Sequence, residues 1–441
     1  MRNEIVQSSN LKRNEKTMAF TDRLARKVIL ALLQRIQFGE LVLVDGDRIY
    51  RFGRRTEGFP FRARIKVLDS RFWGDVGFGG SIGSGESYML GYWKCDDLTA
   101  LVRIFVRNRH VLDRLDSGLA RITQPINKLV HTLRRNSRRG SRRNIAAHYD
   151  LGNDLFSLFL DDTMMYSCGI FEHPSMSMKE ASIAKNDRIC RKLDLKPGDR
   201  VIEIGTGWGG FAIHAAKTYG CHVSTTTISC EQFEYAKQRI REEGLEDSIT
   251  LLFKDYRDLE GQYDKLVSIE MIEAVGPHYL DTFFEKCSSL LKTNGAMLLQ
   301  AITIADQRYD EAKRSVDFIQ KYIFPGGFIP SVTAMSESVA RKTDMRLFHM
   351  EDIGQHYAIT LRKWRERFFG NIEAIRALGY DEIFIRMWEY YLCYTEGGFE
   401  ERVIGNAHML FIKPRSRLES ILPEIGSGPR PDDPQNWLQS A

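Results

Sequence analysis

No two of the seven cysteines stand in a Cys-x-x-Cys pair; they fall at 95, 168, 190, 221, 230, 287 and 393. That spacing argues against a zinc ribbon or a redox dithiol, and no metal is expected. The odd count fits reduced thiols in a cytosolic compartment. No apolar run approaches the ~20 residues of a membrane-spanning helix, so any membrane contact is expected to be peripheral. The opening stretch, MRNEIVQSSNLKRNEKT, is polar and has no signal-peptide core, so a cytoplasmic location is expected. Net charge is also low, +5 over 441 residues, and implies no partner by itself. The 43% hydrophobic and 27% charged residues are ordinary for a globular chain. The length suggests two or three domains at about 150 residues each.

Two further absences concern residues 201–216, VIEIGTGWGGFAIHAA. Val201–Ile204 is an apolar β-run. Gly205-Thr206-Gly207-Trp208-Gly209-Gly210 makes a turn, and Phe211, Ile213 and Ala216 then follow helical spacing. Gly205 and Gly207 lack Cβ, so a cofactor can lie against bare backbone. The helix start adds unpaired N–H groups. Missing is the Asp or Glu that a dinucleotide fold places about 20 residues on to hold a ribose. The chain reads Thr225-Thr226-Thr227-Ile228-Ser229 there. Missing too is the Lys-Ser/Thr pair of a P-loop. A cofactor without a pyrophosphate fits, and S-adenosylmethionine (SAM) is the expected one, with Glu203 anchoring its amino group. Asp255, after the strand Ile249–Phe253, is expected to accept from the adenine amino group, with Tyr256 flanking the ring.

Residues 1–19 read as a disordered arm and 20–120 as a small α+β domain. A helix is expected over Phe20–Phe38, with Leu24, Val28, Leu32 and Ile36 on one face. Asp45-Gly46-Asp47 reads as a hairpin turn, and Arg62–Val67 alternates like a half-buried strand. A Gly/Ser-rich stretch spans 79–91, and a helix is expected at Asp97–Arg107. This domain shows no catalytic grouping and reads as a packing or substrate-presenting module. Residues 121–147 form a basic linker, with eight Lys/Arg and no acidic residue between 121 and 143. A solvated linker is the plain reading. Anionic lipid headgroups would also attract it, by roughly 1 kcal/mol per basic residue near the surface. No aromatic residues interleave the arginines, so nucleic acid is not expected. Residues 148–415 carry the cofactor motif, and the Gly/Pro-rich 416–441 reads as a flexible tail.

The segments HYDLGND (148–154), YSCGIF (166–171), GTGWGG (205–210) and IFPGGFIPS (323–331) stand in this order. Over about residues 20–415 the chain resembles the cyclopropane-fatty-acyl-phospholipid synthase family, which is SAM-dependent and includes the mycolic acid cyclopropane synthases. The resemblance implies an α/β fold: a Rossmann-like SAM-dependent methyltransferase domain with a smaller N-terminal α+β domain. It implies that Tyr166 and Ser167 meet the methionine part of SAM, and that Gly205, Gly207, Trp208 and Gly209 form the cradle. Thr227 and Gln232 would contact the methionine or ribose. It further implies a bicarbonate base held by Cys168, Glu273, Gln300 and Tyr357, with Ile302 contributing its backbone and Tyr149 walling the pocket. Read without the family, Cys168 is a buried small hydrophobe, Gln232 a helix-surface residue and Tyr357 a packed aromatic.

Two residues depart from the family pattern. Gln300 stands where many members have His, and a Gln cannot titrate. Glu270 stands where the family often has a small residue, three before Glu273 and past the carboxyl end of a strand, where α/β folds place ligands. Capping, solvation and function remain open for it. The implied activity is methylene transfer onto the cis double bond of unsaturated phospholipid acyl chains, giving cyclopropane fatty acids. Alkyl methylation to methylene- or methyl-branched chains is the alternative, and a silent lipid-binding relative is the reading from another class. The expected partner is phospholipid in a bilayer, met at the inner face of the membrane by a peripheral homodimer. If the linker acts on lipid, replacing the arginines of 134–143 by Gln should weaken binding to anionic vesicles, and salt should weaken binding of the unmodified chain. Vesicle sedimentation that ignores lipid charge and salt would remove the linker from the account.

Overall fold

The computed structural model describes residues 19–117 and 152–421. The basic linker 121–147, Tyr149 and most of the two expected end segments lie outside the described residues.

The N-terminal unit runs α1 (Phe20–Leu33), β1 (Gly39–Asp45), β2 (Arg48–Arg54), β3 (Arg62–Val67), α2 (Arg71–Met89), β4 (Trp93–Cys95), α3 (Leu98–Arg107) and α4 (Arg109–Ser117). Its sheet has the order β2-β1-β3-β4, with β1 and β2 paired as the expected hairpin. α1 is shorter than expected, and of the expected stripe only Ile36, beyond the helix end, is fully buried. Ala25, Ile29 and Leu33 are inside, whereas Leu24 and Val28 are 45% and 38% exposed. The reason is a close approach to α2, where a Cβ on Gly77 would lie 2.7 Å from the Ala25 Cβ. Only the stripe carrying the smallest residue can face it. The Gly/Ser-rich stretch is helical, as the second part of α2, beyond a kink at Gly80. Small residues there serve contact: a Cβ on Gly85 would lie 2.4 Å from the Phe318 ring. The Asp97 carboxylate caps α3 by accepting from Ala100 N at 2.8 Å.

The second unit runs α5 (Asn153–Phe159), α6 (Met178–Lys192), β5 (Arg200–Ile204), α7 (Gly210–Tyr219), β6 (His222–Thr227), α8 (Cys230–Glu242), β7 (Ile249–Phe253), β8 (Tyr263–Ile269), α9 (Leu280–Leu290) and β9 (Leu291–Ile304). It continues with α10 (Asp306–Ala312), α11 (Val332–Lys342), β10 (Arg346–Asp352), α12 (Gly354–Gly370), α13 (Ile372–Ala377), α14 (Glu382–Glu400) and β11 (Ile404–Ile412). The sheet order is β10-β11-β9-β8-β5-β6-β7. Strands β5 to β9 are parallel, and β11 runs antiparallel to both its neighbours. This is the Rossmann-like α/β fold. Its chain order reverses beside β5, where such sheets open a crevice at the strands' carboxyl ends. Residues 308–323 read from their sequence as one helix, and in the structure that helix is broken. Asp317 accepts from Gln320 N at 2.9 Å, and Gln320 accepts from Asp317 N at 3.0 Å. That reciprocal cap starts a new turn at Ile319–Ile323, which is π-helical.

The two units share one core, which joins Trp73 and Trp93 to Phe318, Trp364 and Trp388. Charge reinforces the join. Glu396 of α14 is buried and accepts from Thr99 Oγ1 (3.2 Å), Arg362 Nε (3.0 Å) and Arg365 Nη2 (2.9 Å). Arg103 of α3 reaches Glu401 at 2.7 Å. Removing Glu396 leaves Arg365 and Thr99 without this acceptor, while Arg362 keeps Glu400 at 2.6 Å. Glu396→Ala is expected to cost about 3 kcal/mol, the lower end for such a pair because both arginines keep solvent. A urea midpoint unchanged from that of the unmodified chain would show that the network contributes nothing.

Candidate active site

A cavity of about 790 Å³ lies along the carboxyl ends of the strands and continues into the N-terminal unit. Glu203, Gly205 and Gly207 wall one part, Glu270 and Glu273 the next, and Ile82, Leu101 and Phe105 of the N-terminal unit the far end. The domain read as lacking a catalytic grouping therefore still supplies apolar wall.

The cradle begins where β5 ends. Gly205 has φ +104°, and a Cβ there would lie 3.2 Å from Met271. A side chain is excluded on both counts, and the backbone is left bare. Glu203 is buried beneath it and accepts from Thr225 Oγ1 at 2.6 Å. Burial pushes its carboxyl up to about 8, so a ligand ammonium beside it would favour the ionised form. Thr227 Oγ1 donates to Gln232 Oε1 at 3.0 Å, and both residues line the cavity. Gln232 is buried, not on the helix surface. Tyr166 and Ser167 line the same space. The Tyr166 ring sits between Phe156 (5.3 Å) and Trp364 (5.1 Å), and its hydroxyl lies 3.0 Å from that of Tyr391. Trp208 donates to Asn153 Oδ1 at 2.6 Å, which ties the glycine turn to the start of α5. Asp255 and Tyr256 also line the cavity, with the buried Asp255 carboxylate already engaged by Arg257 at 2.6–3.0 Å. Gly209 lies off the cavity wall and precedes α7 in a left-handed conformation against Ala236. A bare glycine turn, a buried carboxyl and an aromatic wall together fit SAM.

The anion site differs from the expected one. Glu270 Oε1 accepts from Cys168 N (3.0 Å), Gln300 Nε2 (2.8 Å) and Asn406 Nδ2 (2.6 Å), and Oε2 accepts from Tyr357 Oη (2.7 Å). The donors expected to hold bicarbonate are thus spent on a carboxylate of the chain itself. A second anion against them would occupy the same space, beside two glutamates. The residues present do not fit bicarbonate. Cys168 acts through its backbone. Its thiol is buried, donates to Gly169 O at 3.2 Å, and burial pushes its pKa far up. Gln300 is fully buried behind Glu270. Tyr357 lines the cavity, stacks on Phe399 at 4.5 Å, and burial keeps its hydroxyl protonated. Burial raises the Glu270 carboxyl, while its hydrogen bonds pull it back down. Glu273 accepts from Ile302 N at 2.5 Å, the backbone contribution expected of Ile302. Its other oxygen is buried without a partner among the described residues.

Four residues of this site escaped the sequence reading. Asn406 and His408 come from β11, where Ile302 pairs with Asn406 and Gln300 with His408. Two polar residues two apart in an otherwise apolar strand were the available signal. Lys192 Nζ lies 3.1 Å from His408 Nδ1. An ammonium has only hydrogens to give, so Nε2 carries the imidazole proton and faces Gln300 Oε1 at 3.0 Å. The Gln300 amide is thereby turned to give Nε2 to Glu270. Burial holds His408 neutral. Lys185 is fully buried, donates to Ser167 Oγ at 3.0 Å, and is pushed down to about 8 by burial. A lone Lys within a helix gave no signal.

A family model described as mycolic acid cyclopropane synthetase matches residues 136–409. The chain is 40% identical over 357 residues to the cyclopropane-fatty-acyl-phospholipid synthase of Escherichia coli K12, covering 79% of this chain and 87% of that one. It is also 40% identical over 335 residues to the tuberculostearic acid methyltransferase UfaA1 of Mycobacterium tuberculosis, covering 74% and 77%. Among solved structures, the mycolic acid cyclopropane synthase CmaA1 complexed with SAH and CTAB is 31% identical, with a TM-score of 0.58. The match covers 62% of this chain and 98% of that one.

Burial, and then the charge of Glu270, push the Glu273 carboxyl up to about 8 from an ordinary 4.5. Between those values the folded chain keeps a proton that the unfolded chain has released. Stability therefore falls as pH rises across that window. Glu273→Gln removes this contribution. Its urea midpoint should match that of the unmodified chain near pH 4.5 and exceed it increasingly up to pH 8. Parallel midpoints throughout would show that Glu273 ionises freely.

Proposed function

Because this chain belongs to the mycolic acid cyclopropane synthetase family and is a SAM-dependent methyltransferase, we propose that it methylenates the cis double bond of unsaturated phospholipid acyl chains, forming cyclopropane fatty acids. The observation that carries this reading is the continuous cavity. It joins a cradle fitted to SAM, two enclosed carboxyl groups and an apolar arm in the N-terminal unit. Such an arm suits a hydrocarbon chain and has no use for a small amine. The 40% identity to a cyclopropane-fatty-acyl-phospholipid synthase supports the same acceptor.

When bound, SAM supplies an electrophilic methyl group. The chain's own residues then have four tasks. Glu203 and Ser167 hold the polar end of the cofactor. The rings of Tyr166, Phe324 and Tyr391 give π-faces to positive charge developing on the acyl chain. The same rings exclude water, which would trap a carbocation as an alcohol. A fixed carboxylate stabilises that charge and takes the proton whose loss closes the ring. No helix among the described residues is long and apolar enough to cross a membrane. We place the encounter with lipid at the cytoplasmic membrane face, aided by the basic linker.

Two observations favour a second reading. Gln300 cannot titrate, and the relative UfaA1 is named a methyltransferase. A hydride shift in the cation followed by proton loss would give a methylene-branched chain instead of a ring.

Incubation with SAM and monounsaturated phosphatidylglycerol vesicles, followed by proton NMR of the acyl chains, separates these outcomes. High-field cyclopropane signals are expected. Exomethylene signals would transfer the assignment to the branched product. Absence of any product, with SAM bound by calorimetry, would mean another acceptor. Absence of SAM binding would leave a lipid-binding relative.

A further inference from the structure

We infer that the Glu270 carboxylate is the built-in base and counter-ion of this active site, replacing a diffusible anion. The inference rests on the proposed function for the identity of the acid, and on geometry for everything else.

Three observations converge. First, four donors from four separate segments point at one carboxylate: Cys168 N before α6, Gln300 of β9, Tyr357 of α12 and Asn406 of β11. A side chain that merely caps a strand end does not recruit partners from so far apart in the sequence. Second, Glu270 sits at φ +49°, in the left-handed region. A non-glycine residue there costs about 1 kcal/mol or more, and such strain persists where the surroundings impose it. Glycine would occupy the position freely, so the carboxylate is kept against a backbone preference. Third, Glu270 lines the cavity whereas Gln300 and Cys168 do not. Cys168, Gln300 and Asn406 stand behind the carboxylate, Tyr357 shares the cavity wall with it, and the carboxylate faces the reaction space.

The hydrogen-bond pattern says which atom acts. Oε1 accepts three hydrogens from groups that cannot accept one in return, so it carries no proton. Oε2 accepts from Tyr357 alone among these four donors and keeps an acceptor site. In the reaction, the acyl π-electrons form the new C–C bond as the methyl's C–S bond breaks with its pair going to sulfur. The other alkene carbon is left positive. Oε2 of Glu270 takes one proton from the new methyl group, and the freed C–H pair closes the third ring bond. The products are the cyclopropane chain, the thioether and a protonated Glu270. Oxidation states outside the transferred group are untouched.

The test compares the unmodified chain with Glu270→Gln, which keeps the shape without the charge, and Glu270→Gly, which empties the cradle. In carbonate-free buffer the unmodified chain should turn over undiminished, and both variants should lose about a hundredfold or more, the usual contribution of a positioned base. SAM affinity by calorimetry should stay within about threefold for Glu270→Gln, which keeps the shape that Cys168 and the other segments pack around. Added bicarbonate or formate should restore Glu270→Gly saturably and leave Glu270→Gln unrestored. A readout independent of turnover is 13C NMR of labelled bicarbonate, which should broaden with Glu270→Gly and not with the unmodified chain. Bicarbonate dependence of the unmodified chain, or full activity of Glu270→Gln, would overturn the inference. If no acyl product forms with any variant, the proposed function fails instead, and the labelled-bicarbonate comparison still decides whether Glu270 fills the anion cradle.

Discussion

The carboxylate of Glu270 ties together Cys168, Gln300, Tyr357 and Asn406, and the placement of these segments determines the shape of the cavity. Burying an anion costs several kcal/mol even after relaxation. Hydrogen bonds to a charged group return about 1.5–3 kcal/mol each. Four of them offset the cost, and three would do so only narrowly. This arithmetic explains why even the backbone N–H of Cys168 is drawn in, and why the sequence spends a buried Asn on a β-strand. It also makes the site cooperative: losing one donor leaves the charge short and frees the other segments to shift.

The second constraint is the join between the two units. A cavity that must hold a cofactor at one end and a long apolar chain along the other needs walls from both sides. The N-terminal unit supplies apolar positions such as Ile82, Leu101 and Phe105, and its helices pack on α14. The packing depends on small residues that permit close approach, Gly85 against Phe318 above all. The charged contacts of Glu396 and Arg103 then fix the relative position of surfaces that apolar packing alone would allow to slide.

Much of this was legible in the sequence. The strand, glycine turn and helix over 201–216 fold as their pattern dictates, because bare glycines and an apolar β-run leave few alternatives. Ile249–Phe253 and the polar strand end at Thr225–Thr227 likewise follow from local pattern. The failures share a cause. The buried face of α1 is ambiguous in the sequence because helical spacing admits neighbouring stripes, and only the partner Gly77 selects one. The break within 308–323 is hidden because it lies in a reciprocal cap between Asp317 and Gln320, whose residue types are common inside helices. Glu270 has no role legible in its local sequence, because its meaning resides in partners up to 136 residues away. At Cys168 the sequence displays only a side chain, an anion holder by resemblance and a small hydrophobe otherwise, whereas the working atom is a backbone nitrogen.

The two departures from the family pattern make physical sense as one. A histidine at position 300, within hydrogen-bond reach of Glu270, would become an imidazolium there by taking a proton. An opposite charge at that distance lowers a carboxylate pKa by about 1–3 units. The carboxylate would then be a weaker base where a base is needed. Glutamine gives the same hydrogen bond without the charge, so Glu270 keeps its basicity. An amide, however, can turn either way round, and turned wrongly it would present oxygen to oxygen. His408 removes that freedom, since Lys192 fixes its proton on Nε2 and Nε2 claims the Gln300 oxygen. Lys192 is in turn held by Glu351 at 2.6 Å. The ionic end of this chain of contacts is thus kept away from the cavity, and only neutral donors touch the carboxylate that faces it.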